Sequence, residues 1–246
     1  MLQLLWSTQM TKVLLLASQH GNELLGERLY KHFQLLYPEY LPQIDFMIAN
    51  PMARDQGLRY VETDLNRSYN KPVKSYEEKQ ATKIRKYIES TKPTIVLDLH
   101  TTTCNQPPCF IIASVNNENI AYLKASHISR VVIMSNDIVK HSLIGNCQNS
   151  VSIEISDKTI DTQVLNKLSL DIVNFLNRLY SYKTKHLFEV NELLMKSKFR
   201  INNQKSMQNF RKSKYGFYPI LVGEQAYKKD KMYFGFKADK RQIIKL

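Results

Sequence analysis

The chain has 246 residues and a formal net charge of +13, from 35 Lys and Arg against 22 Asp and Glu. Hydrophobic residues at 43% and charged residues at 23% exclude a disordered chain, and 7 glycines exclude a collagen-like one. The length suits one main domain with a small appendage, and 3 cysteines are too few for a disulfide scaffold, which points to a reducing, cytoplasmic setting.

The opening segment MLQLLWSTQMTKVLLLAS has apolar runs shorter than the roughly 20 residues that span a bilayer. Its first charge is Lys12, unlike the positive start of a signal peptide, so neither a targeting segment nor a membrane partner is expected, and Met10 is an alternative start to Met1. Lys12–Ser18 is a continuous apolar run suited to a buried strand. After the Gly21-Asn22 turn, Leu24, Leu25, Leu29, Phe33 and Leu36 recur at helical spacing. Ile44–Ala49 is a second strand ended by Asn50-Pro51, and residues 50–75, broken by Pro and Gly, are expected as one long loop. Tyr76–Ser90 is helical, with Pro93 beyond its end. Thr94–Leu99, Cys109–Val115 and Val151–Ile155 are strands, with the β-branched pair Val131-Val132 between the last two. Asn117–Arg130 and Asp161–Tyr182 are the remaining helices. From His186 the chain changes to short β-like runs, FYPILV, MYFGF and QIIKL, separated by charged turns. Strands alternating with helices give an α/β fold with a mixed, mainly parallel sheet between helices. Residues 1–185 are expected to form the catalytic domain and 186–246 a small β-rich C-terminal domain.

Three groups of residues carry chemistry. His20 and Glu23 follow the first strand as H-x-x-E, at a strand-to-helix corner where α/β sheets bind ligands. The spacing alone is unspecific, since His186 and Glu189 share it. Asp98-Leu99-His100 closes another strand, so His100 can complete a three-ligand set with an open fourth position, and Asp98 can orient it. The alternative is a buried, hydrogen-bonded histidine at a strand end. Arg59, Asp64, Asn66 and Arg67 lie in RYVETDLNRSYN, where two guanidinium groups suit a carboxylate clamp, unless they pair with Glu62 or Asp64 in a solvated loop. Glu154 lies among apolar neighbours in VSIEI; buried, it would be a general base near neutral pH, and by simple alternation it would point to solvent. Cys104 and Cys109 flank Pro107-Pro108 and are expected to be small side chains near the site rather than metal ligands. Lysine is spread along the chain, and its densest stretch, Lys196 to Lys214, has no nucleic-acid signature. No nucleic-acid partner is expected, and the positive field favours a small anionic substrate.

In that order and spacing, ASQHGNELLGERL, ANPMARDQGLRYVETDLNRSYN, VLDLHTTT, SVSIEIS and YPILVGEQAYKKDKMYF resemble the aspartoacylase and succinylglutamate desuccinylase family, a branch of the zinc carboxypeptidase fold. The resemblance implies that His20, Glu23 and His100 hold one zinc ion per chain. It implies that Arg59, beside Tyr60, polarises the scissile carbonyl, that Asn66 and Arg67 bind the substrate carboxylate, and that Glu154 is general base and then general acid. Tyr227 would reach the substrate from the C-terminal domain, supported by Glu224. The implied activity is hydrolysis of an N-acyl amino acid of the N-acetylaspartate kind by attack of zinc-bound water. Desuccinylation and carboxypeptidase-like cleavage are the alternatives within this chemistry. A non-catalytic zinc protein is the alternative outside it, against which Glu154 and Arg59 argue, and a homo-oligomer is left open. Two departures stand out. Ile144 takes the place of a further substrate-binding arginine about ten residues before the catalytic glutamate, with Lys140 and His141 the nearest substitutes, and the C-terminal domain is short.

Overall fold

The apolar run Val13–Ala17 forms strand β1 with every residue buried, as a strand covered on both faces requires. It belongs to a nine-stranded sheet in the computed structural model, which describes residues 11–180, 183–194, 207–225 and 234–246. The other strands are β2 (Ile44–Ile48), β3 (Ile95–Thr102), β4 (Cys109–Ile112), β5 (Arg130–Met134), β6 (Ser150–Ser156), β7 (Thr184–Leu193), β8 (Tyr218–Glu224) and β9 (Phe234–Lys245). Their order across the sheet is β2-β1-β3-β6-β4-β5-β7-β9-β8. β2, β1, β3 and β6 run parallel; β4 opposes β6, β4, β5 and β7 run parallel, and β9 opposes both β7 and β8. This is the expected α/β architecture with a mixed, mainly parallel sheet.

The helices are α1 (Leu25–Leu36), α2 (Pro51–Asp55), α3 (Tyr76–Thr91), α4 (Asn117–Ala125), α5 (Asn136–Val139), α6 (Leu143–Asn146) and α7 (Thr162–Leu176). The period-two alternation of β1 divides them between the two faces. Val13 and Leu15 lie in the cluster that buries Leu29 and Phe33 of α1, Tyr122 of α4 and Ile172 and Phe175 of α7. Leu14 and Leu16 lie on the opposite face with Ala81 and Ile84 of α3. The site described below lies on the α3 face, at the carboxyl ends of β1 and β3.

Several boundaries differ from expectation for local reasons. Residues 50–75 are not one loop: Asn50 caps α2 by accepting from the Ala53 N–H, and Leu65–Arg67 forms a 3-10 turn capped by Asp64. α4 stops at Ala125, five residues early, because Ser126 and the His127 backbone turn onto Asp171 at 2.5 and 2.9 Å. α7 stops at Leu176, followed by Arg178 in the left-handed region at φ 55°. β9 carries straight through from Phe234 to Lys245, so QIIKL is not a separate run. The residue 185/186 boundary falls inside β7, which pairs with β5 through Arg130↔His186 to Met134↔Val190 and so continues the main sheet. The three cysteines are free, and among the described residues no helix is long and apolar enough to cross a membrane.

Candidate active site

β1 leads directly into the first two candidate ligands. Ser18 follows it in the left-handed region at φ 54°, a conformation that costs a non-glycine residue roughly 1–3 kcal/mol. Its hydroxyl is tied at 3.2 Å both to the Glu23 carbonyl and to Glu27 Oε1. Gly21 meets α2 so closely that a Cβ there would lie 2.2 Å from the Ala53 carbonyl carbon. This tight corner turns His20 and Glu23 toward each other, with Nδ1 and Oε1 2.7 Å apart.

The other ligand comes from β3. Alternation places Asp98 and His100 on the face opposite Leu97 and Leu99, and the parallel register sets His100 beside Glu154 and Asp98 beside Ser152. His100 Nδ1 lies 3.0 Å from Glu23 Oε2, and donor atoms of His20, Glu23 and His100 all fall within 4.8 Å of one another. Behind the rings, His20 Nε2 is 3.1 Å from Asp64 Oδ1 and His100 Nε2 is 3.0 Å from Asp98 Oδ2. Asp98 is fully buried and also accepts from Gln19 Nε2 at 2.9 Å and Ser152 Oγ at 2.7 Å, while Tyr69 donates to Gln19 Oε1 at 3.0 Å. Each ring thus has a carboxylate at both nitrogens, with both Nδ1 atoms facing Glu23, so an ion taken up at Nδ1 would leave Nε2–H to donate to Asp64 or Asp98. Two imidazoles and a carboxylate, with carboxylates holding the rings from behind, form a donor set that fits zinc.

The electrostatics follow from this packing. Burial would raise the Glu23 carboxyl, but His20 and His100 outweigh it and hold Glu23 far below the usual carboxylate range. Asp64 is likewise held down against its burial, by His20 first and then by Arg59 and Arg67. Glu154 behaves in the opposite way. Burial pushes its carboxyl up to about 8, opposed by His100 and reinforced by Glu23 and Glu224, and its Oε2 is buried with no hydrogen-bond partner among the described residues. It therefore does not simply point to solvent.

His20, Glu23, His100, Arg59, Asn66, Arg67, Glu154 and Glu224 line one cleft. Arg59 Nη1 lies 3.2 Å from Glu23 Oε1 and Nη2 3.6 Å from Asp64 Oδ2, so the pairing with Asp64 and the approach to the ligand cluster occur together. Asn66 is fixed by accepting from the Leu143 N–H at 3.2 Å, and Arg67 donates to the Asn66 carbonyl at 2.7 Å. Glu224 accepts from Thr102 Oγ1 at 2.5 Å, Thr103 N at 2.9 Å and Thr103 Oγ1 at 2.7 Å, joining the end of β8 to the end of β3. Tyr227 lies outside the described residues. The sequence reading did not assign Asp64 to His20, nor find the Gln19–Tyr69 link to Asp98. Only the proximity of Asp64 to Asn66 in DLNR hinted at its place in the site. Cys104 and Cys109 are buried close by and belong to an apolar cluster, as small side chains do.

Residues 9–157 match the succinylglutamate desuccinylase/aspartoacylase catalytic domain. A probable aspartoacylase of Trichodesmium erythraeum is 28% identical over 196 residues, covering 69% of this chain and 67% of that protein. An N-acyl-aromatic-L-amino acid amidohydrolase (carboxylate-forming) of Xenopus laevis is 28% identical over 227 residues, covering 78% and 73%. The crystal structure of murine aminoacylase 3 superposes with a TM-score of 0.66 over 96% of this chain and 98% of its own, and at 18% identity that likeness speaks for the fold. With the catalytic-domain match spanning more than half of its length, the chain belongs to the succinylglutamate desuccinylase/aspartoacylase family.

Proposed function

We propose that this chain is a zinc-dependent hydrolase that cleaves the amide bond of an N-acyl amino acid, the class that includes N-acetylaspartate, into a carboxylate and a free amino acid. The supporting observation is the convergence of His20, Glu23 and His100 in the cleft that also holds Glu154, a half-buried glutamate whose Oε2 is buried without a hydrogen-bond partner among the described residues. A divalent ion held by these three residues would lower the pKa of water to about 7 and polarise a carbonyl.

The chain's own groups account for the rest. Glu154, with its carboxyl raised to about 8, is basic enough to take a proton from the attacking water and acidic enough to give it up. The reaction adds hydroxyl to the carbonyl carbon, breaks the C–N bond and delivers the proton through Glu154 to the amine nitrogen. Arg59 donates to the carbonyl oxygen as charge builds there, a role worth about 3–4 kcal/mol for comparable donors. Asn66 and Arg67 hold the substrate carboxylate, for which a planar guanidinium offers two parallel hydrogen bonds. Asp64 and Asp98 keep the two imidazoles oriented. Binding of metal alone would need neither Glu154 nor Arg59. We place the activity in the cytoplasm, on a small anionic substrate rather than a nucleic acid or membrane, in keeping with three free cysteines.

Elemental analysis and amide hydrolysis, measured together, test the reading. Wild type should carry one zinc per chain and His20→Ala should lose it. Glu154→Gln should keep zinc and lose about 10²–10⁴-fold in turnover. Wild-type turnover by Glu154→Gln would remove the general base, and zinc-loaded wild type inert toward every N-acyl amino acid would remove the function.

A further inference from the structure

The cleft has two chemically different ends. One is built from charged and polar groups: His20, Glu23, Arg59, Asn66, Arg67 and Glu154. The other is built from Ile111 of β4, Met134 of β5, Ile138 and Val139 of α5, Ile144 of α6 and Phe236 of β9, together with Ser142 between α5 and α6, whose hydroxyl donates to the Val139 carbonyl at 2.8 Å. This second wall belongs to one apolar cluster that also holds Val132, Phe188 and Leu221. Among the described residues that line the cleft the cations are Arg59 and Arg67. Both are committed to the polar end, Arg59 by Glu23 and Asp64 and Arg67 by the Asn66 carbonyl. The short helices α5 and α6, which the sequence reading missed, supply three of the apolar walls, and Ile144 stands among them.

A substrate with a second carboxylate would have to strip that charge of water against isoleucine, valine and methionine, a large penalty without a paired cation. An uncharged apolar group gains from the same surface. We propose that the end of the cleft formed by β4, β5, α5 and α6 is a subsite for a bulky apolar group, so that the chain selects N-acyl amino acids with one carboxylate over those carrying a second. This rests on the deacylase reading above and decides the substrate class within it. The apolar group can belong to the amino-acid side chain or to the acyl chain, since both present the same surface.

Zinc-loaded, full-length enzyme assayed on N-acetyl-L-phenylalanine, N-octanoylglycine, N-acetylglycine, N-acetyl-L-aspartate and N-succinyl-L-glutamate tests this. Either N-acetylphenylalanine or N-octanoylglycine should exceed N-acetylaspartate in kcat/KM by about 100-fold, a scale reached by hydrophobic pockets, and the winner shows which end of the substrate fills the subsite. Ile144→Arg should cut that preference by at least about tenfold, by raising kcat/KM for N-acetylaspartate and lowering it for the apolar substrate. The substrate series on wild type decides the matter even if the variant does not fold. Preference for N-acetylaspartate or N-succinylglutamate would overturn the subsite and leave the deacylase standing. Hydrolysis of none of the five would overturn both.

Discussion

His100 stands between two carboxylates, with Glu23 at Nδ1 and Asp98 at Nε2, each at 3.0 Å. Burial disfavours a charge on the ring, yet Asp98 first and Glu23 second outweigh it and hold the imidazole well above its ordinary 6.5. A metal ligand must be neutral, so an ion entering the site displaces a proton from this ring. Zinc uptake at pH 7 should therefore release about one proton per ion. Affinity should weaken as pH falls, because protons compete below the metal-free pKa of His100, and should level off above it. Calorimetric titration of metal-free protein in buffers of differing ionisation enthalpy counts the protons, and a count of zero at pH 7 would contradict the assignment. At this scale the sequence was half legible. His20, Glu23 and Asp98-Leu99-His100 are visible because strand and corner periodicity fix which way they point. Asp64 is 44 residues from His20 in a polar segment, and only the folded chain reveals its partner.

The segment carrying Arg59 and Asp64 is ordered by a residue on another element. Glu77, in the first turn of α3 and fully buried, accepts from the N–H groups of Val61, Glu62 and Thr63 at 2.7, 3.2 and 3.1 Å. It also accepts from Asn50 Nδ2 at 3.3 Å, so one carboxylate joins the start of α2 to the arginine segment. Glu77→Ala would leave three backbone donors without their acceptor, at a cost of about 2–4 kcal/mol. A lower Tm is expected, with turnover falling more than zinc content, since the ligands come from β1 and β3 while Arg59 loses its anchor. Glu77→Gln retains one acceptor oxygen and should recover part of both losses. Equal Tm and turnover in wild type and Glu77→Ala would show that the segment holds itself. The sequence concealed this anchor because acidic residues in a first helical turn are common and solvated. Its neighbour Glu78 is an ordinary capping-box partner of Ser75. Buried parallel strands, by contrast, read clearly as apolar runs. Helix ends read less well: Asp171 draws off the end of α4 from 44 residues away, and β9 persists through the charged stretch Lys237–Arg241 because β7 pairs along it.

Across the whole molecule a charge of +13 suggests lysines spread over the surface, and among the described residues Lys185 is the buried exception. It lies on β7 with no exposed area, and its Nζ donates to the carbonyls of Ser126 and Ile128 at 2.9 and 2.6 Å, fastening β7 to the connection between α4 and β5. Burial, aided by Lys183 and partly offset by Asp171, brings its pKa from the ordinary 10.5 down to about 8. The unfolded chain thus binds more protons than the native one between pH 8 and 10.5, and this residue's contribution to stability rises with pH across that window. Below pH 8 its full penalty is present. Cys109 and Tyr122, whose pKa values burial raises, act in the opposite direction at alkaline pH, so the wild-type curve alone does not isolate the lysine. The difference between wild type and Lys185→Met does. Removing the ammonium leaves two carbonyls without their donor at every pH, and only the titrating part varies. Urea-denaturation midpoints measured from pH 7.5 to 10 should show wild type gaining on the variant as pH rises, whereas a difference independent of pH would mean that Lys185 keeps an ordinary pKa in the folded chain.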